Sequence, residues 1–183
     1  MRLKEAIQTL LLHAGSYTCW SFLWLSLTVQ AQPLRYNRDW LQQSSNSCAL
    51  AALSYALNSE HGVSIDEHEL VRRAAVFYTD RGGLPPEEGY SVGDIRRLST
   101  EFGVTADAWR LPFTAVAQQV LPVLLWMEET GRNHVVVLLG LTREAAHVFD
   151  PAVGHYWLSR DRLADRWLGD RASGLLIALT KAQ

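Results

Sequence analysis

The hydrophobic pattern of this 183-residue chain changes its period near residue 104, and that change limits the fold more than any other feature. Before residue 104, apolar residues recur at helical spacing in three segments that begin near Cys48, Ser64 and Ser91. After it, six short apolar runs have the character of β-strands and are separated by turn residues. Helices followed by strands predict an α+β fold, in which the N-terminal helices pack on a C-terminal antiparallel sheet.

The three predicted helices have recognisable boundaries. The first begins at Cys48 and ends before Gly62, and its leucine-rich face is typical of a core helix. The second opens with Ser64 and Glu67 at capping-box spacing, and the third spans residues 91–103. The predicted strands lie at 104–111, 121–127, 134–141, 146–150, 155–158 and 173–180, with short helices near 113–120 and 159–168.

Residues 1–31 have a different composition from the rest of the chain. An apolar run of eleven residues, 19–29, follows a weakly basic start, and Val29 and Ala31 occupy the positions where a signal peptidase requires small residues. We expect a secretory signal that is cleaved after Ala31 or, alternatively, a retained membrane anchor. This divides the chain into a 1–31 targeting segment and a 37–183 domain, and either alternative predicts that the domain is exported.

Charge and cysteine content exclude several functions. The net charge is −2 and the lysines and arginines are scattered, so we expect no nucleic-acid binding. Cleavage after Ala31 would remove Cys19 and leave Cys48 without an intramolecular disulfide partner. Cys48 follows the polar residues 45–47 at the start of a helix, where the helix dipole stabilises a thiolate. This position favours a reactive thiol, although a small buried hydrophobic residue is the alternative interpretation.

A thiolate enzyme also needs a base, and His134 is the best placed of the six histidines. It begins the third strand run, and Asp150 ends the next one. If a three-residue turn over 142–144 joins these strands, Asp150 lies opposite Val136, with His134 as its diagonal neighbour at roughly 7 to 8 Å. A four-residue turn would instead place the two side chains on opposite faces. The alternative is that each residue is hydrogen-bonded only locally. The remaining histidines are in the signal (His13), at polar helix ends (His61 and His68) or in strands without an aligned acidic residue (His147 and His155).

The order of these residues is more specific than any one of them. The chain carries Gln42 six residues before Cys48, then Ala52 and Leu53 in a Cys-x-x-x-Ala-Leu pattern, and later His134 and Asp150-Pro151. This order resembles the papain-like cysteine peptidases and, more narrowly, the bacteriocin-processing family that removes double-glycine leaders. The resemblance runs from about residue 37 to the C-terminus. The chain departs from the family pattern at Ser47 and Ala49, where members commonly have an acidic residue and a glycine.

The resemblance implies a papain-like fold and a mechanism of covalent acyl transfer. Cys48 would be the nucleophile, His134 the base and Asp150 the residue that orients the imidazole. Gln42 would donate to the oxyanion, and Gln43 is its adjacent rival. No metal or organic cofactor is implied, and no ATP site is expected in this chain.

The implied substrate is a peptide or leader segment of an exported protein, with cleavage after Gly-Gly as one expectation. If this chain is exported and is not part of a transporter, it is similar to the periplasmic members of the family that accompany the secretion of extracellular fibre proteins. Three other functions remain as alternatives. They are a non-proteolytic peptide-binding domain, a transglutaminase-like or acyltransferase-like thiol enzyme, and a structural domain with a buried thiol.

Overall fold

The computed structural model describes residues 41–129 and 132–182, so the predicted 1–31 segment lies outside the described residues. The helices within the described part are α1 (Cys48–His61), α2 (Glu67–Thr79), α3 (Val92–Thr100), α4 (Phe113–Val116) and α5 (Arg160–Leu168). The strands are β1 (Val104–Leu111), β2 (Val123–Glu129), β3 (Arg132–Leu141), β4 (Ala145–Asp150), β5 (Gly154–Ser159) and β6 (Gly174–Lys181). None of these helices has both the length and the apolar character that a bilayer crossing requires.

The strands form one antiparallel sheet in the order β1-β6-β2-β3-β4-β5. Strands β2 to β5 are joined in sequence, each pairing with the next. The last strand, β6, instead returns to lie between β1 and β2. Helices followed by an antiparallel sheet confirm the predicted α+β arrangement.

Helices cover both faces of the sheet. The side chains of α1, α2 and α3 form one core against a face that includes Val135 and Val137 of β3. Leu163 and Trp167 of α5 form a second core against the opposite face. Because β3 is buried on both sides, its sequence is a continuous apolar run and not an alternating one.

The helix boundaries confirm most of the predicted signals. Gly62 ends α1 in the left-handed conformation, with φ of 67°, which glycine adopts without strain. The predicted capping box of Ser64 and Glu67 is wrong, because α2 is capped by Asp66, which accepts a hydrogen bond from the backbone N–H of Glu69 at 2.8 Å. The carboxylate of Glu67 points instead to the segment that precedes α1.

Candidate active site

Cys48 is the first residue of α1 and carries a free, partly buried thiol. The backbone carbonyl of Ser47 accepts hydrogen bonds from the N–H groups of Leu50 and Ala51, both at 2.9 Å, which starts the helix. The hydroxyl of Ser47 does not cap α1. The Cys48 Sγ lies 4.0 Å from the carbonyl oxygen of Asn133, so the helix start faces the beginning of β3.

His134 and Asp150 form a direct hydrogen-bonded pair. The His134 Nε2 donates to the Asp150 Oδ1 at 2.8 Å, and the two side chains are only 17% and 7% exposed. The same Oδ1 accepts the backbone N–H of Ala152 at 2.8 Å. Since Asp150 occupies Nε2, the other ring nitrogen, Nδ1, remains for Cys48, which also raises the pKa of the imidazole.

The turn between β3 and β4 by itself would have separated this pair. Three residues, 142–144, lie between the strands, as predicted, but the ladder begins with Leu141 opposite Ala146. If that pairing continued without interruption, Asp150 would lie opposite Val137. Residues one apart in a strand point to opposite faces, so the aspartate would face away from the imidazole.

A β-bulge restores the contact. The register shifts by one residue between Leu138 and Gly140, after which Val137 pairs with Phe149. An extra residue in one strand shifts every later pair by one position, and strand bulges are frequent beside active sites. The bulge therefore returns the aspartate to the face of His134 and gives the predicted diagonal contact.

The pair has strongly shifted ionisation. Burial alone would lower the pKa of His134, but hydrogen bonds with Asp150 and Cys48, together with their negative charges, raise it to about 10. Burial alone would raise the pKa of Asp150, but the hydrogen bonds from His134 and the Ala152 N–H hold it below its ordinary value. At neutral pH the site therefore holds His134 as an imidazolium beside the Asp150 carboxylate.

A cleft of about 480 Å³ contains all four of the predicted site residues. Its lining includes Gln42, Cys48, His134 and Asp150, with Tyr156 and Arg166 on the α5 side. This volume lies in the usual range for ligand sites, about 300 to 1,000 Å³. The Arg166 Nη1 donates to the Tyr156 hydroxyl at 2.9 Å. The arrangement suits a thiolate nucleophile with a protonated imidazole beside it in a cleft that is open to a substrate.

The two adjacent glutamines have different environments. Gln42 lines the cleft. Its backbone N–H donates at 2.8 Å to the carbonyl oxygen of Pro151, the residue that follows Asp150. The side chain of Gln43 is exposed, and its backbone N–H donates to the carboxylate of Glu67 at 2.9 Å. Spacing in the sequence did not show which glutamine lies near Cys48. In the structure Gln42 lines the cleft and Gln43 does not.

Sequence reasoning missed the contact of Glu67 with the segment before Cys48. The sequence signal at this residue was interpreted as a helix cap. Two of the other histidines, His147 and His155, contact each other at 3.3 Å between ring nitrogens, and His147 stacks on Trp157. Neither lines the cleft.

Within residues 41–129 and 132–182, no three His, Cys, Asp or Glu side chains are grouped so that they could hold a metal ion.

The thiol of Cys48 is expected to react with an alkylating agent well below pH 8.5, where an ordinary thiol has lost most of its reactivity. The reason is the neighbouring His134, whose pKa is raised to about 10. Its imidazole therefore stays positively charged at neutral pH and stabilises a thiolate. In the His134→Ala variant the imidazolium is absent, so the onset of alkylation should move to higher pH. The measurement is the rate of iodoacetamide labelling against pH, assigned to Cys48 by peptide mass spectrometry. Identical profiles for the two proteins would contradict the ion pair.

A thiol at a helix start, an imidazole and a carboxylate that line one cleft of an α+β fold are typical of the papain-like class of proteins. The chain belongs to the Peptidase C39 family, whose sequence model matches residues 39–177. The match includes all four predicted site residues.

Curated relatives support the same family. The chain is 30% identical over 143 residues to a protein of Pseudomonas aeruginosa named "Probable functional amyloid protease FapD", which covers 76% of this chain and 62% of that protein. A protein of Pseudomonas fluorescens with the same name is 27% identical over 128 residues, covering 70% and 56%. The chain thus spans about three fifths of the length of these relatives.

Solved structures support the fold. The peptidase domain of Streptococcus ComA, a bifunctional ABC transporter, aligns with a TM-score of 0.63 at 17% identity, covering 77% of this chain and 96% of that domain. A double-glycine motif protease from an AMS/PCAT transporter, in complex with its leader peptide, aligns with a TM-score of 0.56 at 18% identity, covering 77% and 89%. The predicted papain-like fold and the predicted family are confirmed.

Proposed function

We propose that this protein is a cysteine endopeptidase that cuts a peptide or leader segment of an exported protein. The observation that carries the proposal is the convergence of Cys48, His134 and Asp150 in one cleft, with the His134–Asp150 contact at 2.8 Å. Membership of the Peptidase C39 family supports the same chemistry. A nucleophile, a base within reach and a third group that orients the base are the requirements for covalent acyl transfer.

The reaction has two steps. The Cys48 thiolate attacks the scissile carbonyl carbon, and the tetrahedral intermediate collapses to a thioester as His134 gives its proton to the leaving amine. Water then attacks the thioester as His134 accepts its proton, and the second tetrahedral intermediate expels the Cys48 thiolate and releases the cleaved acid, which restores the starting ion pair. Asp150 holds the imidazole ring in the orientation that both transfers need.

The oxyanion is stabilised by two donors, the side-chain amide of Gln42 and the backbone N–H of Cys48. Gln42 lines the cleft beside the thiol, and one N–H of its amide donates to the carbonyl oxygen of Ser44 at 3.0 Å. The second N–H is then the one that serves the substrate. Removing one such donor costs about 2.7 to 4 kcal/mol of transition-state stabilisation in comparable sites.

The relatives support a proposal for the substrate class. Two of them are named as functional amyloid proteases, and a structural neighbour is a double-glycine motif protease solved with its leader peptide. The substrate proposed for this chain is therefore a leader-bearing or fibre-forming exported protein, and the bond that follows Gly-Gly is the first candidate. An exported substrate fits the secretory signal predicted for residues 1–31.

The proposal is tested by incubating the protein with synthetic peptides that differ only in containing Gly-Gly or Ala-Ala at the candidate bond. Mass spectrometry identifies any cleaved bond, and the Cys48→Ala variant is the control. We expect cleavage that Cys48→Ala abolishes. Binding without cleavage would favour a non-proteolytic peptide-binding domain. Formation of an amide with an added amine, in place of the free acid, would favour a transglutaminase-like or acyltransferase-like enzyme.

The location is tested by N-terminal sequencing of the protein purified from its native source. If the signal is cleaved after Ala31, the mature chain begins at Gln32 and is recovered outside the cytoplasm. An intact chain in the membrane fraction would support the anchor alternative. Recovery of an intact chain beginning at Met1 in the cytosol would refute export.

A further inference from the structure

The segment before the nucleophile, residues 42–48, contains both of the proposed oxyanion donors. We call it the oxyanion segment. Residues 42–47 lie outside helices and strands, and Cys48 begins α1, so the regular hydrogen bonds of a helix or strand do not hold most of the segment. Its geometry depends on bonds within the segment, such as those to the carbonyl oxygen of Ser44, and on contacts with other parts of the chain.

One buried carboxylate, that of Glu67, contacts the oxyanion segment at two places. Glu67 is the first residue of α2 and is only 7% exposed. Its two carboxylate oxygens lie 2.9 Å and 3.2 Å from the backbone nitrogen of Gln43, which donates to them. It also accepts a hydrogen bond from the hydroxyl of Ser47. A buried carboxylate needs such donors, because an unpaired buried charge is strongly unfavourable.

The first of these contacts fixes the backbone around Gln42. The nitrogen of Gln43 belongs to the peptide group that follows Gln42, so the bond to Glu67 sets the orientation of that group. On the other side, the backbone N–H of Gln42 donates to the carbonyl oxygen of Pro151 at 2.8 Å. Gln42 is therefore held at both of its peptide groups, and its side chain starts from a defined position.

The second contact fixes the residue before the nucleophile. Ser47 is 1% exposed, and its hydroxyl also approaches the carbonyl oxygen of Ser44 at 2.8 Å. The carbonyl group of Ser47 shares a peptide plane with the backbone N–H of Cys48, the second proposed donor. A single side chain thus restrains the backbone next to both donors.

We propose that Glu67 is a positioning residue that sets the geometry of the oxyanion hole through Gln43 and Ser47. The inference rests on the proposed function, since it assigns to Glu67 the placement of the donors that the peptidase mechanism requires. Glu67 does not line the cleft that holds Cys48 and His134. Misplacing catalytic groups by about 1 Å can cost about 100-fold in rate, so a residue outside the cleft can control turnover.

The first test compares Glu67→Gln and Glu67→Ala with a matched control, Asp94→Asn. Asp94 is also a buried carboxylate in the first turn of a helix, 3% exposed, and it accepts a backbone N–H and a hydroxyl from Ser91. We expect kcat on a cleaved peptide to fall by about 10-fold to 100-fold in the Glu67 variants while KM changes little. Gln retains one acceptor, so Glu67→Gln should be milder than Glu67→Ala. Asp94→Asn should retain the kcat of the unchanged protein.

A double-mutant cycle separates positioning from general loss of stability. If Glu67 acts by placing Gln42, then Glu67→Gln should reduce kcat by a much smaller factor in a Gln42→Ala background, because the donor is already missing there. Equal fold-losses in both backgrounds would overturn the proposal. Ser47→Ala provides a second, milder variant that removes one contact and leaves the carboxylate in place, so the proposal can be judged even if Glu67→Ala fails to fold.

A second measurement does not depend on activity. Hydrogen exchange at the backbone amide of Gln43, followed by mass spectrometry or NMR, should become faster in Glu67→Gln and remain unchanged in Asp94→Asn. Unchanged exchange at Gln43 would overturn the role of Glu67 even if the protein is a peptidase. Faster exchange in a protein that cleaves no peptide would refute the proposed function but support the role of Glu67 in holding the oxyanion segment.

Discussion

Replacing Cys48 by alanine, His134 by alanine, or both is expected to reduce turnover to the same floor, a loss of about 10⁶-fold in kcat by comparison with other nucleophile–base pairs. In the proposed mechanism the two side chains act as one unit, because the imidazolium stabilises the thiolate and later delivers the proton to the leaving amine. The raised pKa of His134, about 10, reflects this coupling and that with Asp150. Once either member is missing, the other has no partner, so the double variant should be no worse than each single one.

The measurement is kcat of the purified variants on a peptide that the unchanged protein cleaves. His147→Ala is the control, because His147 is also a partly buried strand histidine but contacts His155 and not the cleft. If the fold-losses in kcat of the two single variants multiply in the double variant, Cys48 and His134 do not act as one unit. Full activity of Cys48→Ala would refute the peptidase mechanism.

The kcat of the Asp150→Asn variant is expected to lie between that of the unchanged protein and that of the Cys48 and His134 variants. It retains the base but replaces the carboxylate that accepts the His134 Nε2–H, so the orientation and tautomer of the ring are disturbed. The loss of the negative charge also removes one of the causes that raise the pKa of His134. The imidazole should therefore titrate at a lower pH, and the pH dependence of kcat/KM should move in the same direction.

Replacing Gln42 by alanine is expected to reduce kcat by about 100-fold to 1000-fold with little change in KM, the usual effect of removing one oxyanion donor. The donor acts on charge that develops in the transition state, so ground-state binding should be nearly unaffected. Steady-state kinetics on the same peptide measures both constants. The structure supports this residue, because Gln42 lines the cleft with Cys48 and has its backbone anchored to Pro151.

Gln43→Ala is the matched control for this prediction. The Gln43 side chain is exposed, and its contact with Glu67 is made by the backbone, which alanine preserves. The variant should therefore be nearly as active as the unchanged protein. If Gln43→Ala is the damaging change and Gln42→Ala is silent, the oxyanion donor has been assigned to the wrong glutamine.

Local patterns in the sequence were sufficient to locate the elements that carry the site. The leucine spacing and the αL glycine at residue 62 define α1, and so place Cys48 at a helix start. The predicted strand of residues 104–111 coincides with β1, and the other predicted strands lie within two residues of the observed ones. These features depend on neighbours close in sequence, and the sequence contains that information directly.

Contacts between distant residues were not available from the same patterns. Ser64 and Glu67 have the spacing of a capping box, yet α2 is capped by Asp66, and the Glu67 carboxylate pairs instead with the backbone N–H of Gln43 and the hydroxyl of Ser47. No local signal marks β6 as the strand between β1 and β2. In both cases the deciding partner is remote in sequence.

The His134–Asp150 pair depended on both kinds of information. The sequence by itself determined the two strands, the three residues between them and the chemistry of the two side chains. Only the tertiary structure decided that they meet, because the ladder starts one residue out of register and the bulge between Leu138 and Gly140 corrects it. The physical reason is that side chains alternate between the faces of a strand, so a shift of one residue reverses every contact. Packing on both faces of β3 selects the register, and that selection involves the whole fold.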